Sequence, residues 1–225
     1  MANKTVYLVR HAESEANAGQ KTIDHDKILL SSKGKLQAKL ACSFLQGKIA
    51  APKLIVLSPF TRAKETAVPL IEGLASKNTK TEIREWPVQE FTYLCLTKCR
   101  NTTREERTEM RNAYWKRLDP YEINGDGTES FSHLLDRVDR FLGLLKKMIH
   151  GPAIVFTHEG FIRATIIKLK RPYKVLDRDW MELFLESKEK IKIPNVSISK
   201  ILIKKGTDVP SITMPSVRHV PLEAR

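Results

Sequence analysis

The sequence predicts an α/β fold, a three-layer α/β/α sandwich with a mostly parallel central sheet. Three short apolar runs do not alternate with polar residues, which is typical of strands buried on both faces of a sheet. These runs cover residues 6–9, 54–57 and 153–156. Segments with apolar residues at helical spacing separate the runs, and strands that alternate with helices build a parallel sheet covered on both sides.

The predicted helices cover residues 32–47, 60–75, 128–149 and 158–170. The first of them has an apolar face made of Leu36, Leu40, Ala41, Phe44 and Leu45. The third carries the longest apolar stripe of the chain. Residues 196–203 alternate apolar and polar side chains, which predicts a half-exposed strand.

Residues 91–127 interrupt the alternation of strands and helices. They mix basic and aromatic side chains and contain one helical stretch, near residues 103–118. We interpret the segment as a helical cap inserted over one end of the sheet. The whole chain, 1–225, is expected to be a single domain, since domains commonly reach about 250 residues. The tail, 206–225, contains three prolines and little periodicity, which predicts loose packing.

Composition limits the class of protein. The chain is 41% hydrophobic and 29% charged, which is typical of a soluble globular protein. Its three cysteines, Cys42, Cys95 and Cys99, exclude a disulfide framework and favour a reducing compartment. No apolar run approaches the ~20 residues of a membrane span, and no signal-peptide segment opens the chain. We therefore expect a cytoplasmic protein.

The net charge is +13, from 39 Lys and Arg against 26 Asp and Glu. Such a surplus attracts phosphorylated metabolites, nucleic acid or acidic membranes, and does not choose among them. Within the predicted cap, Lys98, Arg100 and Arg104 are expected to attract an anionic substrate.

Arginine and histidine follow the predicted strands at the point where each strand ends. Arg10 and His11 come after the first strand, Arg62 lies just past the second, and His158 comes after the third. In open parallel sheets, ligands bind outside the carboxyl ends of the strands. Arginine grips phosphate oxygens bidentately, and a neutral imidazole among cations can act as a nucleophile. The sequence therefore predicts a site for a phosphoryl dianion.

Five sequence blocks, in order along the chain, resemble the histidine phosphatase superfamily, which includes the cofactor-dependent phosphoglycerate mutases. The blocks cover residues 9–14, 30–38, 58–67, 127–131 and 157–160. The first is similar to the family's Arg-His-Gly signature, the third to its second arginine motif and the last to its second histidine motif. Ala12 and Glu159 stand where glycine is more usual in the family.

The resemblance implies a mechanism and a set of site residues. His11 attacks phosphorus and becomes phosphohistidine, while Arg10, Arg62, His158 and Asn17 hold the phosphoryl oxygens. Glu159 is included in the predicted substrate-binding set.

A carboxylic acid protonates the leaving oxygen and then deprotonates the attacking water. Glu90 is the predicted acid and Glu85 is the alternative. Asn17 is also compatible with a helix cap or a turn. Arg163 and Glu13 are compatible either with support of the site or with surface salt bridges.

The predicted activity is hydrolysis of a phosphomonoester, either an anionic small molecule or a phosphoprotein. A mutase-type phosphotransferase is the alternative, although the Glu-Arg-His/Tyr-Tyr-Gly stretch typical of those mutases is absent after Glu90. A second alternative is a basic module that binds nucleic acid or a membrane surface, although no RNP, KH or zinc-knuckle pattern is present. We expect no metal, no cofactor, no nucleic-acid partner and no stable membrane association, in a monomer or homodimer.

Overall fold

The structure of the protein, a computed structural model, describes residues 4–148, 151–171, 176–204 and 210–225. The strands in these ranges are β1 (Lys4–Arg10), β2 (Leu54–Leu57), β3 (Glu82–Glu85), β4 (Ala153–Thr157), β5 (Ile198–Ile203) and β6 (Ser211–Ile212). The helices are α1 (Ser32–Lys48), α2 (Thr61–Ala75), α3 (Leu96–Cys99), α4 (Thr108–Arg117), α5 (Phe131–Met148), α6 (Glu159–Lys170) and α7 (Arg178–Lys190). A short 3-10 helix, Leu222–Ala224, lies near the end of the chain.

The six strands form one mixed sheet in the order β3-β2-β4-β1-β5-β6. Strands β3, β2, β4 and β1 pair in parallel, with Val6 opposite Ala153 and Leu54 opposite the same residue. Strands β5 and β6 add an antiparallel edge beside β1. The prediction of a mostly parallel sheet is confirmed.

Helices cover both faces of this sheet. Alternate residues of each central strand point to opposite faces, so each strand contributes side chains to two cores. Val6 and Leu8 of β1 belong to a core shared with α5, α6 and α7. Val9, on the other face, belongs to a core shared with α1 and α2. All three side chains are fully buried, and each contributes about 1.5–3 kcal/mol of transfer free energy relative to exposure. The three-layer arrangement predicted from the apolar runs is therefore confirmed.

Helix α1 has the predicted bounds to within a residue, but its buried face is different. Leu36 is 51% exposed and Phe44 is 37% exposed, so their predicted place in the core is wrong. The buried face consists of Gly34, Gln37, Ala38, Ala41, Cys42 and Leu45. Its mostly small side chains let α1 pack closely against α2 and the end of the chain. Phe44 instead stacks on the ring of His219 at the surface, 4.8 Å between centroids.

The other predicted helices match the structure with shifted ends. The third predicted helix begins at Phe131 rather than residue 128, and the Ser130 hydroxyl accepts the N–H of His133 at 3.2 Å in its first turn. Its predicted end, residue 149, lies outside the described residues. The helical stretch predicted in the cap corresponds to α4. No described helix is both long and apolar enough to cross a membrane.

Four elements, β3, α3, α7 and β6, were not predicted. Strand β3 escapes a search for apolar runs because its side chains are all exposed and mostly charged. Residues 210–225 of the tail, predicted to pack loosely, are mostly exposed, but Val220 is fully buried. The carbonyl of Ala224 accepts a hydrogen bond from Gln37 Nε2 at 2.8 Å, which ties the end of the chain to α1. Residues 206–209 lie outside the described part of the chain.

Candidate active site

A cavity of about 1060 Å³ opens at the carboxyl edge of the parallel strands, where ligands bind in such sheets. The sheet side of its wall carries Arg10 at the end of β1, His11 directly after it, and Arg62 in the first turn of α2. The side chains from the cap and from α7 that complete the wall include Tyr93, Arg104, Arg111, Trp115 and Lys188. The cap therefore lies over the predicted phosphoryl site.

His11 is held as a neutral imidazole with a defined tautomer. Its Nδ1 lies 2.7 Å from the carbonyl oxygen of Ala12, which can only accept, so Nδ1 carries the proton. Burial, together with the positive charges of Arg62 and Arg10, holds the pKa of His11 well below its usual range. The ring nitrogen Nε2 is therefore left with a free lone pair, which is the property that a nucleophile requires.

His158 lies directly beside His11, with 5.1 Å between the ring centroids. Its side chain is fully buried and does not form part of the cavity wall. Ser58 Oγ accepts the N–H of Phe60 and lies 2.7 Å from His158 Nε2, so the hydroxyl proton is available for that nitrogen. Nδ1 of His158 is buried and makes no hydrogen bond to any described residue. The sequence prediction that both histidines meet at one point is consistent with this geometry.

Arg10 is oriented by two acceptors that sequence reasoning did not connect to it. Its Nη1 donates to the carbonyl of Ile193 at 2.6 Å, and its Nη2 lies 3.4 Å from Oε2 of Glu159. The other carboxylate oxygen of Glu159 accepts from Arg163 Nη2 at 2.9 Å. Burial alone would raise the pKa of Glu159, but the charges of Arg10 and Arg163 outweigh it and lower this pKa.

Arg163 supports the site rather than forming a surface salt bridge, since it is only 2% exposed. Its Nη1 donates to the carbonyls of Ser187 at 2.6 Å and Ile191 at 3.1 Å, at the end of α7. Glu13, the other residue with two predicted possibilities, lies outside the cavity wall. It accepts a hydrogen bond from Ser31 Oγ at 2.8 Å and pairs with Lys33 at 3.9 Å.

Arg62 is buried and fixed by a loop that the sequence did not indicate. Its Nη1 donates to the carbonyl of His25 at 2.9 Å, and its guanidinium lies 5.0 Å from the centroid of the Phe60 ring. Burial lowers the pKa of Arg62 to about 10, so it stays cationic at neutral pH. The ring of His25 also reaches the cavity wall, and burial next to Arg62 lowers its pKa to about 3.

Asn17 lies on the cavity wall with its side-chain oxygen already engaged. Oδ1 accepts from the Ser14 hydroxyl at 3.1 Å and from Asn195 Nδ2 at 3.2 Å. Asn195 Nδ2 also donates to the backbone carbonyl of His11 at 3.0 Å, so one amide links both residues. The amide nitrogen of Asn17 remains as a donor, which fits its predicted role as a phosphate-binding residue.

Glu90 approaches the first turn of α6 from the loop after β3. Its Oε1 accepts the N–H groups of Phe91 at 2.9 Å and Gly160 at 2.8 Å. A Cβ at residue 160 would lie 2.4 Å from this oxygen, so a larger residue there would displace the carboxylate. Burial raises the pKa of Glu90, and the negative charge of Glu159 raises it further. A carboxyl group that keeps its proton at higher pH is suited to act as a general acid.

Glu85, the alternative acid, is not part of the cavity wall. It lies on the edge strand β3, its side chain is 54% exposed, and it pairs with Lys64 at 2.7 Å. Lys98 and Arg100 of the cap are likewise absent from the wall, and Arg100 pairs with Asp24 at 3.3 Å instead. Of the three cap cations expected to attract substrate, only Arg104 lines the cavity.

Ala12 and Glu159, the two departures from the usual glycine, do not strain the backbone. Neither has a positive φ angle. Ala12 is fully buried and packs with Leu30, Ala38 and Val196. The structure thus accommodates both side chains where the family more often has none.

Several wall residues were missed because their positions depend on contacts distant in sequence. His25 lies on the wall, and Asn195 is hydrogen-bonded to Asn17 and His11. Both lie in loops with no motif, and nothing in their local sequence indicates a site. Lys188 had a usable signal, since Trp180 and Phe184 recur at helical spacing on the buried face of α7. Across the described ranges, no cluster of three or more His, Cys, Asp or Glu side chains is arranged to hold a metal ion.

The fold and this arrangement of two histidines and two arginines define a class of protein. The chain belongs to the histidine phosphatase superfamily (branch 1), whose family model matches residues 6–211. The resemblance predicted from five sequence blocks is therefore confirmed.

Similar proteins carry both phosphatase and mutase names. A 2,3-bisphosphoglycerate-dependent phosphoglycerate mutase from Mesorhizobium japonicum is 26% identical over 171 residues, covering 74% of this chain and 82% of that protein. The alpha-ribazole phosphatase of Shigella flexneri is 19% identical with a TM-score of 0.69, over 97% of this chain and 98% of that one. The phosphoserine phosphatase of Entamoeba histolytica, solved as a mutant with phosphoserine, is 21% identical with a TM-score of 0.67, over 97% and 100%. At this level of identity, the two solved structures support the fold.

Replacing Arg62 by lysine tests whether its planar guanidinium matters to catalysis. Lysine keeps the charge but loses the fork that grips two oxygens, so we expect turnover to fall about 10²-fold. Arg100→Lys, at an exposed arginine outside the cavity wall, is the matched control. Kinetics and a thermal melt on each variant distinguish a catalytic role of Arg62 from a structural role. A loss of stability as large as the loss of transition-state stabilisation would make Arg62 a structural residue.

Proposed function

We propose that the protein is a phosphomonoester hydrolase that acts through a phosphohistidine intermediate at His11. The observation that supports this most directly is the state of the His11 ring. It is neutral, its Nδ1 proton is tied to the carbonyl of Ala12, and the charges of buried Arg62 and Arg10 act on it. This geometry favours attack by Nε2 on a bound phosphoryl group.

In the first step, Nε2 of His11 attacks phosphorus while the bond from phosphorus to the ester oxygen breaks. Arg10 and Arg62 neutralise charge on the phosphoryl oxygens, and preorganised cations of this kind supply most of the stabilisation in phosphoryl transfer. The amide nitrogen of Asn17, on the cavity wall, is a further donor for these oxygens, and His158 packs against the ring of His11. Glu90, protonated, gives its proton to the leaving oxygen.

In the second step, water attacks phosphohistidine and inorganic phosphate leaves. Glu90, now ionised, accepts a proton from the water, and the bond between phosphorus and Nε2 breaks. One carboxyl group can serve both steps because each step reverses the proton transfer of the other. The raised pKa of Glu90 supports the first role, and its hydrogen bonds to two N–H groups stabilise the ionised form needed for the second.

Phosphotransfer of the mutase type is the alternative, favoured by the name of the Mesorhizobium relative. It uses the same first step and differs in the acceptor, which is a second hydroxyl rather than water. Conversion of 3-phosphoglycerate to its 2-isomer, measured beside phosphate release from the same sample, distinguishes the two activities. Isomerisation faster than phosphate release would favour the mutase.

A basic module that binds nucleic acid or membranes is less well supported. Arg10, Arg62, Arg104, Arg111 and Lys188 all line one cavity. Positive charge gathered inside a cavity fits a small anionic ligand better than an extended polyanion.

The test of the proposed hydrolase is a panel of phosphomonoesters with p-nitrophenyl phosphate as the reference substrate. Because His and Arg supply the nucleophile and the charge stabilisation, we expect phosphate release to continue in EDTA. A panel that includes sugar phosphates, phosphorylated carboxylates and a phosphoprotein identifies the preferred substrate. Activity that disappears in EDTA and returns with Mg²⁺ would contradict this mechanism.

A further inference from the structure

Lys188 lines the cavity, and its ammonium group has no carboxylate partner within the described ranges. It lies at the carboxyl end of α7, and its Nζ is 4.5 Å from the ring centroid of Trp115. Trp115 stacks on Phe184 with centroids 5.4 Å apart and an interplanar angle of 10°. The ammonium group thus lies over the stacked rings of Trp115 and Phe184. No ion pair or hydrogen bond joins Nζ to a described residue.

Arg104 and Arg111 of the cap line the same cavity as Lys188. Arg111 donates to the Thr108 hydroxyl at 2.9 Å, and neither arginine is paired with a carboxylate among the described residues. The three cations are close enough that both arginines lower the proton affinity of Lys188. Gathering like charges in a cavity costs free energy, and a bound anion relieves that cost.

The carboxylates nearby are paired directly with other cations. Glu159 is held between Arg10 and Arg163, and Glu189, at the cavity wall, pairs with Lys192 at 3.1 Å. Arg104 acts electrostatically on Arg10 as well as on Lys188. The positive electrostatic potential of these cap and α7 cations therefore extends to the phosphoryl site.

We propose that Lys188, Arg104 and Arg111 form a second anion subsite, which binds a carboxylate or a second phosphoryl group of the same substrate. The proposal rests on the proposed function, because it places the reacting phosphoryl group at His11. It narrows the substrate class to phosphomonoesters that carry another negative charge. Trp115 would pack against the portion of the substrate that joins the two anionic groups.

The subsite also has a pH dependence with a defined sign. Burial lowers the pKa of Lys188 to about 8, with Arg163, Arg111 and Arg104 contributing and Glu159 opposing. Lys188 is therefore cationic below this value and loses its charge above it. Preference for a second anionic group should be present at neutral pH and should decline as pH rises above about 8.

The experiment compares kcat/KM within two matched substrate pairs. The carboxylate pair is 3-phosphoglycerate and glycerol 3-phosphate, and the phosphate pair is glucose 1,6-bisphosphate and glucose 6-phosphate. We expect the member with the second anionic group to be preferred in at least one pair. Lys188→Met keeps an apolar stem over Trp115 but removes the charge, so KM of that member should rise about tenfold while its partner changes little.

Lys188→Arg should restore the preference and carry it to higher pH. Lys190→Met is the matched control, since Lys190 is exposed on the same helix and pairs with Glu186 at 2.8 Å. No preference in either pair, or equal losses for both members in Lys188→Met, would overturn the subsite. The wild-type pH profile tests it without any variant, and a preference that stays constant to pH 10 counts against it.

A separate measurement shows whether the protein hydrolyses phosphomonoesters at all. Hydrolysis of p-nitrophenyl phosphate by the wild-type protein reports the proposed function, because this ester has no second anionic group. If that activity is absent, calorimetric binding of the same substrate pairs still reports on Lys188, with the same preference expected.

Discussion

His11→Ala loses nearly all phosphate release, by at least about 10⁴-fold in kcat, because the variant has no nucleophile to form the first covalent bond. His158 is not expected to replace it, since its side chain is fully buried and outside the cavity wall. Fold stability should change little, because within the described part of the chain the ring hydrogen-bonds only to its own neighbour Ala12. Steady-state kinetics and a thermal melt measure both effects.

Labelled phosphoenzyme provides the direct readout for His11. We expect wild-type protein, quenched in alkali where phosphohistidine survives, to retain label from the substrate, and the variant to retain none. His133→Ala is the matched control, because this histidine is exposed on α5 and remote from the cavity wall. A variant that still formed phosphoenzyme at a comparable rate would place the nucleophile elsewhere.

Glu90→Gln slows hydrolysis of alkyl phosphates by about 10²–10⁴-fold and that of p-nitrophenyl phosphate far less. Glutamine preserves the shape and still accepts the N–H groups of Phe91 and Gly160, but it has no proton to donate. Nitrophenolate leaves readily as an anion, whereas a sugar alkoxide does not. The measurement is the pre-steady-state rate of phosphoenzyme formation with both leaving groups.

Glu85→Gln is the control that the structure supplies for this experiment. Glu85 is exposed and paired with Lys64, so its replacement should leave both substrates unaffected. The nitrophenyl substrate also allows phosphoenzyme to accumulate in Glu90→Gln, because water lacks its base in the second step. Equal slowing of phosphoenzyme formation for both leaving groups would remove Glu90 from the role of acid.

The pH profile gives Glu90 a second signature. Its protonated form is required for alkyl phosphates, so their kcat/KM should decline as pH rises through the raised pKa of Glu90. Nitrophenyl phosphate should lack this decline. Glu159→Gln removes a negative charge that raises this pKa, so the decline should move to lower pH. A decline that stays in place would show that Glu159 does not influence the acid.

Sequence patterns were sufficient for the layers of the fold and for the residues at the strand ends. Buried parallel strands need apolar side chains on both faces, so β1, β2 and β4 appear as unbroken runs. Such a pattern also locates the residues that follow each run, because parallel strands all end at one edge. Arg10, His11 and Arg62 were therefore found without knowledge of any contact.

Local sequence was insufficient where a residue is placed by a partner far along the chain. The choice between Glu90 and Glu85 is an example, since both are glutamates in one short segment. Glu90 reaches the N–H of Gly160, which is 70 positions away, whereas Glu85 meets only Lys64 at the surface. The buried face of α1 is a second example, because close packing of its small residues excludes Leu36 and Phe44 from the core.

The sequence by itself determined the family, the central strands of the sheet and the pair of histidines, because each depends on residues that are local in the chain or repeat with the period of a strand or helix. Only the tertiary structure decided the surroundings of that pair. Asn195 donates to the backbone carbonyl of His11, and Arg163 of α6 donates to the carbonyl of Ser187 in α7. Lys188 of α7 lies over the ring of Trp115 in the cap. These contacts arise when α7 and the segment after it pack over the sheet edge, and no periodic pattern records which side chains then meet.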